Sequence, residues 1–312
     1  MNLTHSLARA SIRAAGALTP QWGAAIALPL FARIARTRPV RPEDEPTMFR
    51  ARRGVIRIPG VDRRGVDVAV YEWGTGDRVA VLAHGWDGRA SQFATLVREL
   101  VAEGFRVLAF DAPAHGDSGG RRSYLVDWMD ALETLQQSRG RFALVVGHSF
   151  GGLATLVSVA GGVDAERVVT VAAPASAEGM LAEFQRMMGY SDEIARAFPP
   201  LFAARYFPGD RDPFAWLSAV RRPLPAGTPL LIVHDERDRT VPFREAALIE
   251  KANPGSRTIA TKGLGHTRIL RSDAFLDAVL EFAATPAPAP APQRLDAVSA
   301  HERIAEPATT PR

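Results

Sequence analysis

The sequence predicts an α/β protein: a mostly parallel sheet of eight strands, helices on both faces, and a small helical cap. Three observations carry this. Between residues 54 and 284, short apolar runs alternate with segments of helical periodicity, the pattern of a parallel sheet buried on both faces. The pentapeptide Gly147-His148-Ser149-Phe150-Gly151 stands between the apolar run 142–146 and the helix-like segment 153–160. That context suits a serine presented on a sharp strand-to-helix turn. Finally, residues 175–229 break the alternation for longer than a plain connection requires.

Taken in order, residues 55–58 and 66–73 read as strands, the second alternating in polarity, paired antiparallel at one edge. Apolar runs at 79–83, 106–110, 142–146, 168–172 and 230–234 supply the buried strands. Residues 257–261 read as a last, more exposed one. The helices between them fall at 91–103, 124–137, 153–160, 245–251 and 273–282, each with apolar residues at helical spacing. The insertion, about 175–228, contains helix-like 178–188 and 192–198. Phe202, Tyr206, Phe207, Phe214 and Trp216 follow among prolines. It is expected to cover the site; the alternative is a helical decoration whose aromatics serve its own small core.

The ends have a different composition. Residues 1–53 form a basic N-terminal extension with Arg9, Arg13, Arg33, Arg36, Arg38 and Arg41. Its apolar stretch, 22–31, is interrupted by Pro29 and is too short to span a bilayer. It is expected to be helical and to pack on the body or touch a membrane surface. A secretory signal is the third reading, weakened by Arg33 and Arg36 directly after the apolar run. Residues 285–312 open on a Pro-Ala repeat and read as extended, disordered chain. The cytoplasm is the expected location, with peripheral membrane contact or export as alternatives.

Composition excludes several chemistries. The chain has 312 residues and no cysteine, so no disulfide, zinc-thiolate site or catalytic thiol is available. The net charge of +4 is spread along the chain, without the aromatic-interleaved basic stripe of a nucleic-acid binder. Seven histidines form no H-E-x-x-H or close pair, which argues against a metal. No G-x-G-x-x-G follows a first strand, which argues against a dinucleotide cofactor.

A serine hydroxyl needs a base, and the base an orienting acid. Two later segments offer them in the order Ser, Asp, His. Residues 230–242 contain Asp235, Glu236 and Asp238-Arg239-Thr240-Val241-Pro242; residues 263–267 contain Gly263-Leu264-Gly265-His266-Thr267. Asp235 and Glu236 compete with Asp238 as the acid. Each of these side chains also has an ordinary reading, as a solvated loop carboxylate or a surface histidine; Ser149 could be a helix N-cap. His148 is expected to point away from the elbow and pack or hydrogen-bond there.

With these motifs in place, residues 54–284 resemble the α/β-hydrolase superfamily, in which the acid lies in a D-x-x-V-P loop and the base in a G-x-G-H turn. The resemblance implies Ser149 as nucleophile, His266 as base and Asp238 as acid. It also implies an oxyanion hole from the N–H groups of Phe150, after the nucleophile, and Trp86, in the H-G-x loop His84-Gly85-Trp86. The Trp86 indole either walls an acyl pocket or packs on the core. Asp111-Ala112-Pro113-Ala114-His115-Gly116-Asp117-Ser118 is similar to a largely structural D-x-P-G-H-G-x-S loop, with Ala114 where glycine is usual; His115 could line the entrance. The His84-Gly85-Trp86 loop departs from H-G-G-G, which puts a bulky-ester or tertiary-alcohol substrate in doubt.

The expected activity is therefore serine hydrolysis of a small or medium acyl ester or thioester through an acyl-enzyme, without cofactor. C–C bond hydrolase and lipase chemistry would use the same residues. A non-catalytic protein that binds a ligand or partner in the same pocket is the reading of another class.

Overall fold

A computed structural model of the chain describes residues 3–34, 38–61, 63–210 and 212–285. Eight strands form one sheet in the order β1-β2-β4-β3-β5-β6-β7-β8: β1 (Arg52–Ile58), β2 (Val66–Trp73), β3 (Arg78–Ala83), β4 (Phe105–Phe110), β5 (Leu144–His148), β6 (Val168–Val171), β7 (Leu230–Asp235) and β8 (Arg257–Thr261). β2 is antiparallel to both its neighbours, and every other pairing is parallel. The first strand begins at Arg52, inside the stretch expected to belong to the N-terminal extension.

The strands are apolar on both sides because both sides are covered. Val79, Val81 and Ala83 of β3 face a layer containing α5 (Leu125–Arg139) and α6 (Phe150–Ala160); Ala80 and Leu82 face α4 (Ala94–Ala102) and α12 (Asp273–Ala284). This two-residue alternation recurs in β7, where Leu230 and Ile232 oppose Leu231 and Val233. Each buried valine, leucine or isoleucine among them contributes about 1.5–3 kcal/mol. Strand order reverses between β3 and β5, and open α/β sheets bind ligands beyond the carboxyl ends of the strands at such a point.

The insertion leaves and re-enters the body at one neck. Ala177 N–H donates to Leu217 O at 2.9 Å, and Ala219 N–H to Ala175 O at 3.0 Å. It holds α7 (Ala177–Met188), α8 (Asp192–Tyr206) and α9 (Pro213–Trp216). α8 continues through Pro199 and Pro200, eight residues beyond the expected end at Phe198. Ile194, Phe198, Phe202 and Tyr206 form one buried stripe along it. Burying two further aromatics offsets the backbone bonds that the prolines remove.

The N-terminal chain forms α1 (Leu3–Leu18) and α2 (Pro20–Phe31). Thr19 caps α2 by accepting from Trp22 N–H at 3.2 Å, and Pro20 fits the first helical position because it needs no donor. α3 (Glu45–Phe49), α10 (Arg244–Ala252) and α11 (Gly265–Arg268) complete the helices. Of the Pro/Ala-rich tail, residues 286–312 lie outside the described residues.

Candidate active site

β5 ends at His148 and α6 begins at Phe150, so one residue makes the reversal. Residues 142–143, expected in the strand, precede it; the strand instead runs on through Gly147. Ser149 takes φ 54° and ψ −121°, a region that residues with side chains rarely occupy. A Cβ on Gly147 would stand 2.6 Å from Gly152 Cα, and one on Gly151 would strike the carbonyls of Ala83 and His84. The two glycines thus allow α6 to press against β3 and β5. Ser149 N–H donates to Val171 O at 2.8 Å, tying the elbow to β6.

The structure brings Ser149, His266 and Asp238 together. His266 Nε2 lies 2.9 Å from Ser149 Oγ, and His266 Nδ1 lies 2.7 Å from Asp238 Oδ2. A carboxylate only accepts, so Nδ1 carries the proton and Nε2 accepts from the serine hydroxyl. Asp238 Oδ1 takes the N–H groups of Thr240 at 2.7 Å and Val241 at 3.0 Å. Burial pushes the Asp238 carboxyl up, but the His266 hydrogen bond and charge and these two donors outweigh it. The group sits below its ordinary value and stays ionised.

Of the rival acids, Glu236 is exposed, with an oxygen 3.6 Å from Lys262 Nζ. Asp235 is buried and accepts four hydrogen bonds. Its Oδ1 takes Arg237 N–H at 2.9 Å and Gly263 N–H at 3.2 Å; its Oδ2 takes Leu264 N–H at 2.8 Å and Thr261 Oγ at 2.9 Å. Against the upward push of burial, these donors hold its carboxyl at about 2. Asp235 therefore ties the loop of Asp238 to the loop of His266, a bracing position that its sequence neighbours did not disclose. The one signal was a carboxylate closing a strand that opens on four aliphatic residues.

His148 braces the same loop from the other side. Its Nε2–H donates to His266 O at 2.8 Å. Burial, then the neighbouring His266, hold its imidazole at about 3, so it is neutral at physiological pH.

The loop after β3 meets the elbow at Gly85, where a Cβ would stand 2.8 Å from Ser149 Cβ. Among the described residues, no protein acceptor takes the N–H of Trp86 or of Phe150. Phe150 N–H also opens α6, whose dipole favours negative charge there. The Trp86 ring packs on Phe150 at 5.1 Å and stacks on Trp128 at 6.3 Å. Trp128 Nε1–H donates to His84 O at 2.8 Å, while His84 Nε2 accepts Ala112 N–H at 2.9 Å. His115 is buried rather than at an entrance: its Nε2 accepts Asp87 N–H at 3.2 Å and its Nδ1–H donates to Pro113 O at 2.9 Å. Burial holds His84 at about 4 and His115 at about 3, so both act as neutral loop supports. Asp111 accepts from Ala90 N–H, Asp117 N–H and Tyr71 Oη, and Ser118 Oγ donates to Asp111 O; these bonds give both residues a structural role.

The aromatics of the insertion run into this site. Phe150 lies 6.0 Å from Tyr124, and Tyr124 lies 4.7 Å from Phe202, with Tyr206 and Phe207 also around it. They share one core with the body instead of forming a separate one.

This architecture has relatives. The model of the Alpha/beta hydrolase family matches residues 80–279. A pimeloyl-acyl-carrier-protein methyl ester esterase of Edwardsiella ictaluri is 29% identical over 249 residues, 67% of this chain and 95% of that protein. A monoacylglycerol lipase of Mycolicibacterium smegmatis is 35% identical over 82 residues, covering 24% of this chain and 29% of the lipase. An esterase of Pyrococcus furiosus superposes over 80% of this chain and 96% of its own, with 21% identity and a TM-score of 0.56. With its eight-stranded sheet and a family match over most of its length, the chain belongs to the alpha/beta hydrolase family and is an enzyme of that family.

Proposed function

We propose that this enzyme is a serine hydrolase that cleaves a small or medium acyl ester or thioester. The observation that carries this reading is the unbroken hydrogen-bonded line from Asp238 through His266 to the Oγ of a serine in strained backbone. The relatives described above, two esterases and a lipase, are likewise named for ester hydrolysis.

Ser149 Oγ attacks the acyl carbon as its proton passes to His266 Nε2. Asp238 keeps the imidazole in the required tautomer and stabilises its charged form. The negative charge that develops on the carbonyl oxygen is met by the N–H groups of Trp86 and Phe150. His266 then returns the proton to the departing alcohol or thiol as the acyl carbon–leaving group bond breaks. Water attacks the acyl-serine, giving its proton to His266; the carboxylic acid leaves and Ser149 recovers its hydrogen.

The test is labelling with a fluorophosphonate probe, which forms a covalent bond with an activated serine, alongside a panel of esters and thioesters of graded acyl length. Stoichiometric labelling that disappears in Ser149→Ala, with turnover reduced by several orders of magnitude, is expected. Unchanged hydrolysis in both Ser149→Ala and His266→Ala would overturn the reading. A folded protein that neither labels nor turns over any panel member would be a binding protein instead.

A further inference from the structure

The N-terminal hairpin has two faces of opposite fate. Inward, Ile12, Gly23, Ala24, Ala27, Leu28 and Phe31 are buried. α1 and α2 cross at Gly16 and Gly23, where a Cβ on Gly23 would stand 3.0 Å from Gly16 Cα. The notch that they leave receives Ile194 of α8: a Cβ on Gly16 or Gly23 would stand 2.9 Å from its Cγ1. Phe31 continues this contact, 5.6 Å from Phe198 and 5.8 Å from Tyr124. The hairpin is thus joined to the cap and, through it, to the aromatics around Phe150.

Outward, the hairpin is apolar and open to solvent. Leu7, Leu18, Trp22 and Ile26 are 61%, 71%, 58% and 38% exposed. Ala10, Ala14, Ala17, Ala25 and Pro29 are exposed between them. On each helix these positions recur at the three- and four-residue spacing of one face. Among the described residues none covers this face, and its exposed tryptophan is the residue type that prefers a membrane–water interface.

Charge identifies the occupant. Residues 1–42 carry six arginines (Arg9, Arg13, Arg33, Arg36, Arg38, Arg41) and no aspartate or glutamate. Arg13 and Arg33 are exposed and form no ion pair among the described residues. Against a second copy of the same face, these cations would repel. Against an anionic bilayer, an apolar face with basic flanks gains both burial and attraction. No helix among the described residues is long and apolar enough to cross a membrane, which fits a helix pair lying in the interface.

We propose that the outer face of the α1–α2 hairpin docks this enzyme on an anionic lipid surface, with Leu18, Trp22 and Ile26 entering the interface and Arg13 and Arg33 meeting the headgroups. Because Ile194 fixes the hairpin to the cap, docking holds the cap side of the site next to the lipid. The proposal stands on the hairpin alone and does not depend on the hydrolytic reading.

The test is co-sedimentation of the full chain with vesicles of phosphatidylcholine and with vesicles of phosphatidylcholine mixed equally with phosphatidylglycerol. The chain is expected to pellet with the mixed vesicles and to be released by added salt. The double variant Trp22→Glu/Ile26→Glu should weaken binding at least about ten-fold, and Arg13→Glu by a smaller factor. The melting temperature should be unchanged in both variants, since these side chains are exposed. Failure to pellet with either vesicle would overturn the proposal. So would salt-insensitive binding to both vesicles alike, or a dimer in solution that Trp22→Glu/Ile26→Glu dissolves without any change in lipid binding.

Discussion

The Nε2–H of His148 donates to the backbone carbonyl of His266 at 2.8 Å, so the residue before Ser149 holds the loop whose imidazole bonds to that serine. The end of strand β5 thereby presents the hydroxyl and supplies a support for its partner. His148→Ala should lower kcat about 10- to 100-fold with little change in KM, as expected when a reacting group shifts by up to an ångström. His148→Gln, which keeps a donor, should recover part of the loss. Steady-state kinetics with a thermal melt for each variant separates positioning from folding.

Asp235 gives a prediction about acid. Its carboxyl is held at about 2 by the donors around it, below the ordinary unfolded value of about 3.9. Its stabilising contribution is complete above the unfolded value and is lost as pH falls through the folded one. Asp238 is shifted in the same direction. The wild type should therefore lose stability between about pH 4 and pH 2. Asp235→Asn should lose less over that window while starting from a lower plateau at neutral pH, because an amide leaves some of the four donors unmet. Chemical denaturation at a series of pH values reads both effects.

Ser149 should cost the fold stability. At φ 54° a side chain is strained, and glycine is free of that strain. Ser149→Gly should raise the unfolding free energy by roughly 1 kcal/mol while abolishing turnover. An unchanged or lower stability would show that the elbow is not strained in solution.

Ala114 is the matching case outside the chemistry. It holds φ 62° in the loop where resemblance led us to expect glycine, and its N–H donates to Gly119 O at 2.7 Å. Ala114→Gly should stabilise by about 0.5–1 kcal/mol, the left-handed penalty reduced by glycine's greater unfolded entropy, with kcat unchanged. Denaturation midpoints and kinetics of the pair check it.

Much of this protein was legible in one dimension because its elements are short-range objects. The succession of eight strands and the helices between them along the chain follows from hydrophobic period, and Ser149, Asp238 and His266 stand in motifs whose local context a sequence displays. Local pattern misled where distant atoms intervene. α8 was expected to stop before its prolines, and it continues because Phe202 packs on Phe31 of α2 and on Tyr124, the residue before α5, and Tyr206 stacks on the same Tyr124. Asp235 looked like a competing acid; only the fold brings residues 261–264 to its oxygens. His115 lies within the core that its loop closes, away from any entrance. The sequence alone determined which residue types could do chemistry and in what order the chain visits them. Tertiary structure alone decided which loops meet beyond the carboxyl ends of β3, β5, β7 and β8, because hydrogen bonds act over about 3 Å between residues more than a hundred positions apart.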